Sequence, residues 1–256
     1  MHFALLAWPA TGHPHHLPDV TQHRPHAPSM ALAQRLPALA RLLATALALL
    51  MPSASRAAGG HHAVDDATLL DPGQCQLETW LEDGAGHRLQ HVGPACRLGG
   101  VEAGLNLDRY RLGDTPTTRL TGAQLKWAHE LQPGLSWGLA WAAAWQNDSP
   151  RFAGQALLLP LTWAPRSDLN LHLNLGRDFH PGQPDHWRYG AALEWQPSPQ
   201  WQGVAEHWRD GFRLRHRLGL RHIVNDALSL DLSRAQTRGT PRDAWWTVGV
   251  NWVFSH

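Results

Sequence analysis

The chain is poor in the features that mark soluble helical enzymes and helical membrane proteins. Charged residues make up only 17% of its 256 positions, and it has a single lysine, Lys126. No segment beyond residue 57 approaches the roughly 20 apolar residues that a membrane helix requires, and mean hydropathy is −0.36. A helical membrane span is therefore excluded. The formal net charge of +1 provides no basic field, so nucleic acid is not expected as a partner. The two cysteines, Cys75 and Cys96, lack CxxC spacing and give no support to redox or thiolate-metal chemistry. No cofactor is implied.

What the chain does have is 14 Trp, 23 Gly and 43% apolar residues. That mixture favours strands with interface-seeking aromatics over helices built from Lys and Glu. From Met30, Arg35 and Arg41 precede an apolar run, Leu42 to Met51, and Ser55-Arg56-Ala57 then sets small residues at both positions that signal peptidase reads. Residues 30–57 thus read as a secretory signal cleaved after Ala57. Residues 1–29 hold six of the 18 His without periodicity and read as an upstream extension. A flexible periplasmic segment, 58–72, is expected next, and a barrel over 73–256. Export and an even cysteine count together suggest a Cys75–Cys96 disulfide across the mouth of a first hairpin.

Beyond residue 73 the apolar residues recur with period two. In "DLNLHLNLGRD", Leu169, Leu171, Leu173 and Leu175 share one face while Asp168, Asn170, His172 and Asn174 share the other. "ALSLDLS" repeats the arrangement. "HWRYGAALEW" and "SWGLAWAAAW" add an aromatic residue at each end of the stripe, and the second leaves only small residues on its opposite face. Compact turns (132–134, 164–168, 196–200, 224–226) alternate with longer polar loops (112–118, 146–154, 178–186, 237–244), while the tight "RDG" at 209–211 falls where a long loop is due. These are the dimensions and connections of an all-β, closed antiparallel transmembrane β-barrel with both termini periplasmic. It would have about 12 strands, or ten if the weak first pair is not formed.

The chain closes with "TVGVNWVF", which resembles the C-terminal signal read by the bacterial barrel-assembly machinery: a polar residue, a glycine two further on, then two hydrophobic residues one apart. Thr247, Gly249, Trp252 and Phe254 take those places. The whole mature chain is similar to uncharacterised outer-membrane β-barrels of proteobacteria. The resemblance implies the bacterial outer membrane as location, with outer-membrane lipid and the assembly machinery as partners. A soluble periplasmic β-barrel binding protein is the alternative, but it would have to pack its Trp, Leu and Phe inward and expose faces rich in Gly, Ala, Ser and Asn.

Function then rests on the lumen. A two-residue turn at Asp210-Gly211 would set Glu206 opposite Arg215 and Trp208 opposite Arg213, giving an inward ladder of Arg213, Arg215, Arg217 and Arg221. Such a ladder either guides small anionic solutes through a selective channel or pairs with inward carboxylates in a plugged scaffold. An outer-membrane lipid-modifying hydrolase is the enzymatic alternative, with His172, His207, Ser229, Ser233 and Glu206 as available parts. His61, His62, Asp65 and Asp66 would lie near the new N-terminus and carry donor types that suit a divalent transition metal.

Overall fold

The computed structural model describes residues 61–255 apart from 85, 148–150, 212 and 240–242. The upstream extension (1–29) and signal peptide (30–57) lie outside the described residues. Twelve strands follow one another: β1 Gln74–Gly84, β2 His87–Leu98, β3 Val101–Leu112, β4 Thr118–Gln132, β5 Leu135–Gln146, β6 Arg151–Arg166, β7 Leu169–Phe179, β8 His186–Ser198, β9 Trp201–Asp210, β10 Arg213–Ile223, β11 Leu228–Thr237 and β12 Ala244–Ser255. Each pairs antiparallel with its neighbours in sequence, and β1 pairs with β12, so the sheet closes on itself. Closure removes every strand edge, which leaves no unpaired backbone row to meet lipid.

The weak first pair forms in full, so the count is twelve. Its two strands are longer than their apolar residues suggest, and Cys75 lies directly opposite Cys96 within the ladder, joined by a disulfide. Outward positions carry Leu173, Leu175, Leu218, Val248 and their like, all exposed, while the alternate positions are buried. An exposed apolar belt this extensive is incompatible with water and suits hydrocarbon, as in outer-membrane barrels. Tryptophans rim the belt. Trp163, Trp195, Trp201 and Trp252 stand outward near the end that holds both termini of the barrel, and Trp145, Trp187 and Trp246 near the other.

Connections at the terminal-bearing end are tight, with β2–β3, β4–β5, β6–β7 and β8–β9 each joined by two residues. The opposite end has longer loops, such as 113–117 and 180–185, and is the outer end by this asymmetry. The two-residue β1–β2 and β9–β10 connections are the exceptions there. The β9–β10 register differs from a turn at Asp210-Gly211: Asp210 already pairs with Arg213, and the turn is 211–212, with Gly211 at φ +55°. Glycine suits that left-handed position because it has no Cβ to clash.

Candidate functional site

Period-two alternation places half of every strand inside the barrel, and twelve strands enclose more room than short side chains fill. Several of those inward side chains are ionised and pair across neighbouring strands. Arg188 on β8 donates from Nε to Asp178 on β7 at 3.0 Å, and Arg221 on β10 donates from Nε to Asp231 on β11 at 2.7 Å. The shifted β9–β10 register sets Arg217, not Arg215, opposite Glu206, and Arg215 opposite Trp208. Arg217 Nη1 is 3.0 Å from Glu206, and its Nη2 is 3.4 Å from Glu82 on β1. Arg215 pairs with Asp210 near the outer rim, where Arg213 is also half-buried. The ladder is thus matched by carboxylates, as enclosed charge requires.

The remaining room is taken by the chain's own N-terminal segment. Sequence composition suggested a flexible periplasmic stretch over 58–72; instead His61, His62, Val64, Asp65, Asp66, Ala67 and Leu70 are all buried. This strap crosses the lumen from β11 to β2. His61 shares a 2.6 Å hydrogen bond with Ser233 on β11, and its carbonyl accepts from Arg217. The Val64 amide donates to Glu206 (2.8 Å), the Ala67 amide to Thr162 on β6 (2.8 Å) and the Leu70 amide to Glu102 on β3 (3.2 Å). The Leu70 carbonyl accepts from Arg97 on β2 at 2.7 Å. An irregular segment can be buried only if its backbone groups find such partners. Here the wall's side chains provide them.

Two further contacts fix the strap. Lys126 on β4 donates to Asp65 at 3.1 Å and to Asp66 at 2.6 Å, and all three side chains are buried. Val64 packs on Trp208, Ala192, Ala235 and Trp245. The wall yields at that point, since a Cβ on Gly190 would come within 2.7 Å of Val64 Cγ2.

The four residues considered for metal binding are therefore drawn to separate partners: His61 to Ser233, His62 to Glu206 (3.7 Å), and both aspartates to Lys126. Among the described residues no three His, Cys, Asp or Glu side chains group to hold a metal ion. Of the hydrolase parts, Ser233, His172 and Glu206 are buried inside the barrel, and His207 faces outward. Lipid on the outer wall does not reach the His61–Ser233 pair. Thr247 points inward and fully buried, while Trp252 and Phe254 point outward with ring centroids 4.8 Å apart.

Sequence reading missed the strap's anchors: Val64, Lys126, Thr162, Glu102 and Gly190. One signal existed in Lys126, the chain's lone lysine, on an inward face directly opposite Glu102 of its own hairpin.

The fold is similar to that of solved outer-membrane porins. The KdgM porin in complex with disordered oligogalacturonate aligns with a TM-score of 0.58 at 11% identity, covering 70% of this chain and 99% of that one. The NanC porin aligns at 0.52 and 8% identity, over 70% and 98%. At these identities the likeness concerns the fold alone. No curated protein matches the sequence. A family model does match it, across residues 46–254, and the chain accordingly belongs to the family described as "Uncharacterised conserved protein UCP029691".

Proposed function

We propose that this chain is a small passage of the bacterial outer membrane that its own N-terminal segment holds shut, and that it passes small anionic solutes when the segment shifts. The observation that carries this reading is the strap: His61–Leu70 takes hydrogen bonds from, or gives them to, side chains on walls all round the lumen. Each of those bonds is to a polar or charged group that would face water in an open pore. When the strap leaves, Lys126 loses both aspartates and keeps only Glu102 opposite it, so the lumen gains positive charge on the wall that faces the arginines of β10. Charged rings of this kind set ion preference. The KdgM porin, similar in fold, was solved with an oligogalacturonate, which supports an anionic solute.

Planar-bilayer recording tests the reading with a lock. The Ala67 amide lies 2.8 Å from Thr162 Oγ1, so Ala67→Cys with Thr162→Cys should tie the strap to β6. Rare, small openings are expected from the wild type, none from the oxidised lock, and their return on reduction. A steady wild-type current unaffected by the lock would overturn the proposal.

Assembly through the C-terminal stripe belongs to the same reading. Trp252 and Phe254 face lipid on the strand that closes the barrel. Phe254→Asp should abolish accumulation of the folded form, at a cost of up to a few kcal/mol according to depth; normal levels of heat-modifiable protein would count against it.

A further inference from the structure

The outward surface is apolar almost everywhere the strands cross the membrane, yet one sector of its outer end is cationic. Arg88 on β2, Arg109 and Arg111 on β3, and Arg119 on β4 all have exposed, outward positions. Register makes them neighbours: Arg88 lies opposite Arg111, and Arg109 lies opposite Gln90 on one side and Arg119 on the other. Like charges directly opposite one another are destabilising in a sheet. The sequence nonetheless stacks them here.

Local partners do not account for the two central arginines, Arg109 and Arg111. Arg88 Nε is 2.9 Å from Asp83, but among the described residues neither Arg109 nor Arg111 makes an ion pair or hydrogen bond. Outward arginines elsewhere are engaged differently: Arg177 pairs with Asp185 at 3.2 Å and lies over Trp187, and Arg234 lies 4.9 Å over the Trp246 ring. A pocket of about 160 Å³ opens among Arg88, Gln90, Arg109, Tyr110, Arg111 and Thr117. Immediately toward the membrane centre on the same face come Leu107 and Leu105 on β3, Val92 on β2 and Leu125 on β4, all exposed. At the other end of these three strands the outward residues are Leu98, Val101 and Trp127, so the cationic character belongs to the outer end alone.

A cationic pocket set directly on a lipid-facing apolar belt matches an anionic amphiphile, with its head at the arginines and its chains along the leucines. Guanidinium groups bind phosphate in a bidentate fork and stay charged at any relevant pH. Three adjacent strands spread the cluster over roughly 10 Å, wide enough for a headgroup with more than one phosphate. We infer that the outer ends of β2, β3 and β4 bind a multiply phosphorylated glycolipid of the outer leaflet, with Arg109 and Arg111 on phosphate and Arg88 and Arg119 flanking them. The inference rests on the outer-membrane location but not on the strap or on conduction.

Binding of bisphosphorylated lipid A to the purified, folded full-length mature chain in zwitterionic detergent tests it. Saturable binding is expected, weakened about tenfold or more in Arg109→Ala/Arg111→Ala, as loss of two charge-assisted contacts implies. Dephosphorylated lipid A should bind no better to the wild type than to that variant, and inorganic phosphate should not compete at comparable concentration. Arg177→Ala/Arg234→Ala should bind like the wild type. Should the alanine pair fail to fold, Arg109→Gln/Arg111→Gln preserves bulk and gives the same readout. Equal affinity in the double variant, an equal loss in the Arg177/Arg234 control, or competition by free phosphate would each overturn the lipid site. Heat-modifiable migration of the same samples reports separately on the barrel, so failure of the site is distinguishable from failure of the location.

Discussion

The Lys126 ammonium lies 2.6 Å from the Asp66 carboxylate and joins two parts of the chain separated by 60 residues. It is the only lysine in the protein, and it sits inside the barrel with a second aspartate, Asp65, at 3.1 Å. One cation therefore compensates two adjacent acids. Lys126→Met should leave both carboxylates buried without their ammonium, and breaking a buried pair costs about 3–5 kcal/mol. The cost falls on the strap, because the barrel wall itself loses no hydrogen-bonded neighbour. Limited proteolysis should then cut within 58–72 while the barrel stays heat-modifiable. Adding Asp65→Asn and Asp66→Asn to the same chain should restore much of the protection; if it does not, the ion pairs are incidental to the strap.

A steric test is independent of charge. Gly190 gives way to Val64, and a Cβ there would also come within 2.9 Å of Trp208 Cβ. Gly190→Leu should displace the strap at a cost of about 1–3 kcal/mol, as for overfilled cores, and raise the frequency of channel openings. Val64→Ala in the same chain should reduce the effect. An unchanged opening frequency in Gly190→Leu would mean that the strap does not obstruct the pore at this point.

Most of the barrel is legible in the sequence because a strand's facing depends only on parity. Leu173 and Leu175 had to share a face whatever they paired with, and turn composition separated the two ends. Register is less legible, because a slip of two residues leaves every side chain on its face. The β9–β10 hairpin shows this: Glu206 faces inward whether it opposes Arg215 or Arg217, and only the turn position decides. His207 and His216 are directly opposite in this register. His207→Cys/His216→Cys should form a disulfide, whereas His207→Cys/Leu214→Cys, the pair implied by a turn at Asp210-Gly211, should not, since diagonal Cα atoms stand about 7–8 Å apart. The reverse crosslinking pattern would reinstate a turn at Asp210-Gly211.

The strap was illegible for a different reason. Residues 61–70 have no period, and the partners that anchor them lie on strands distant in sequence, so their burial follows only once the wall is closed. "HHAVDD" reads locally as a metal-binding tail; inside a charged lumen the same groups become counter-ions and hydrogen-bond donors. Arg217 makes the dependence testable, for it touches β9, β1 and the strap together through Glu206, Glu82 and the His61 carbonyl. Arg217→Ala should act twice. It removes the guanidinium that Glu206 and Glu82 share, which makes the lumen more negative and shifts any ion preference toward cations, and it removes a donor from the strap, which raises opening frequency. Arg217→Lys keeps the charge but not the planar fork that reaches several acceptors, so it should retain the wild-type ion preference while still opening more often. Reversal potentials in asymmetric salt report the first effect and open probability the second. If Arg217→Lys behaves as the wild type in both, charge alone accounts for this residue and the strap does not depend on its geometry.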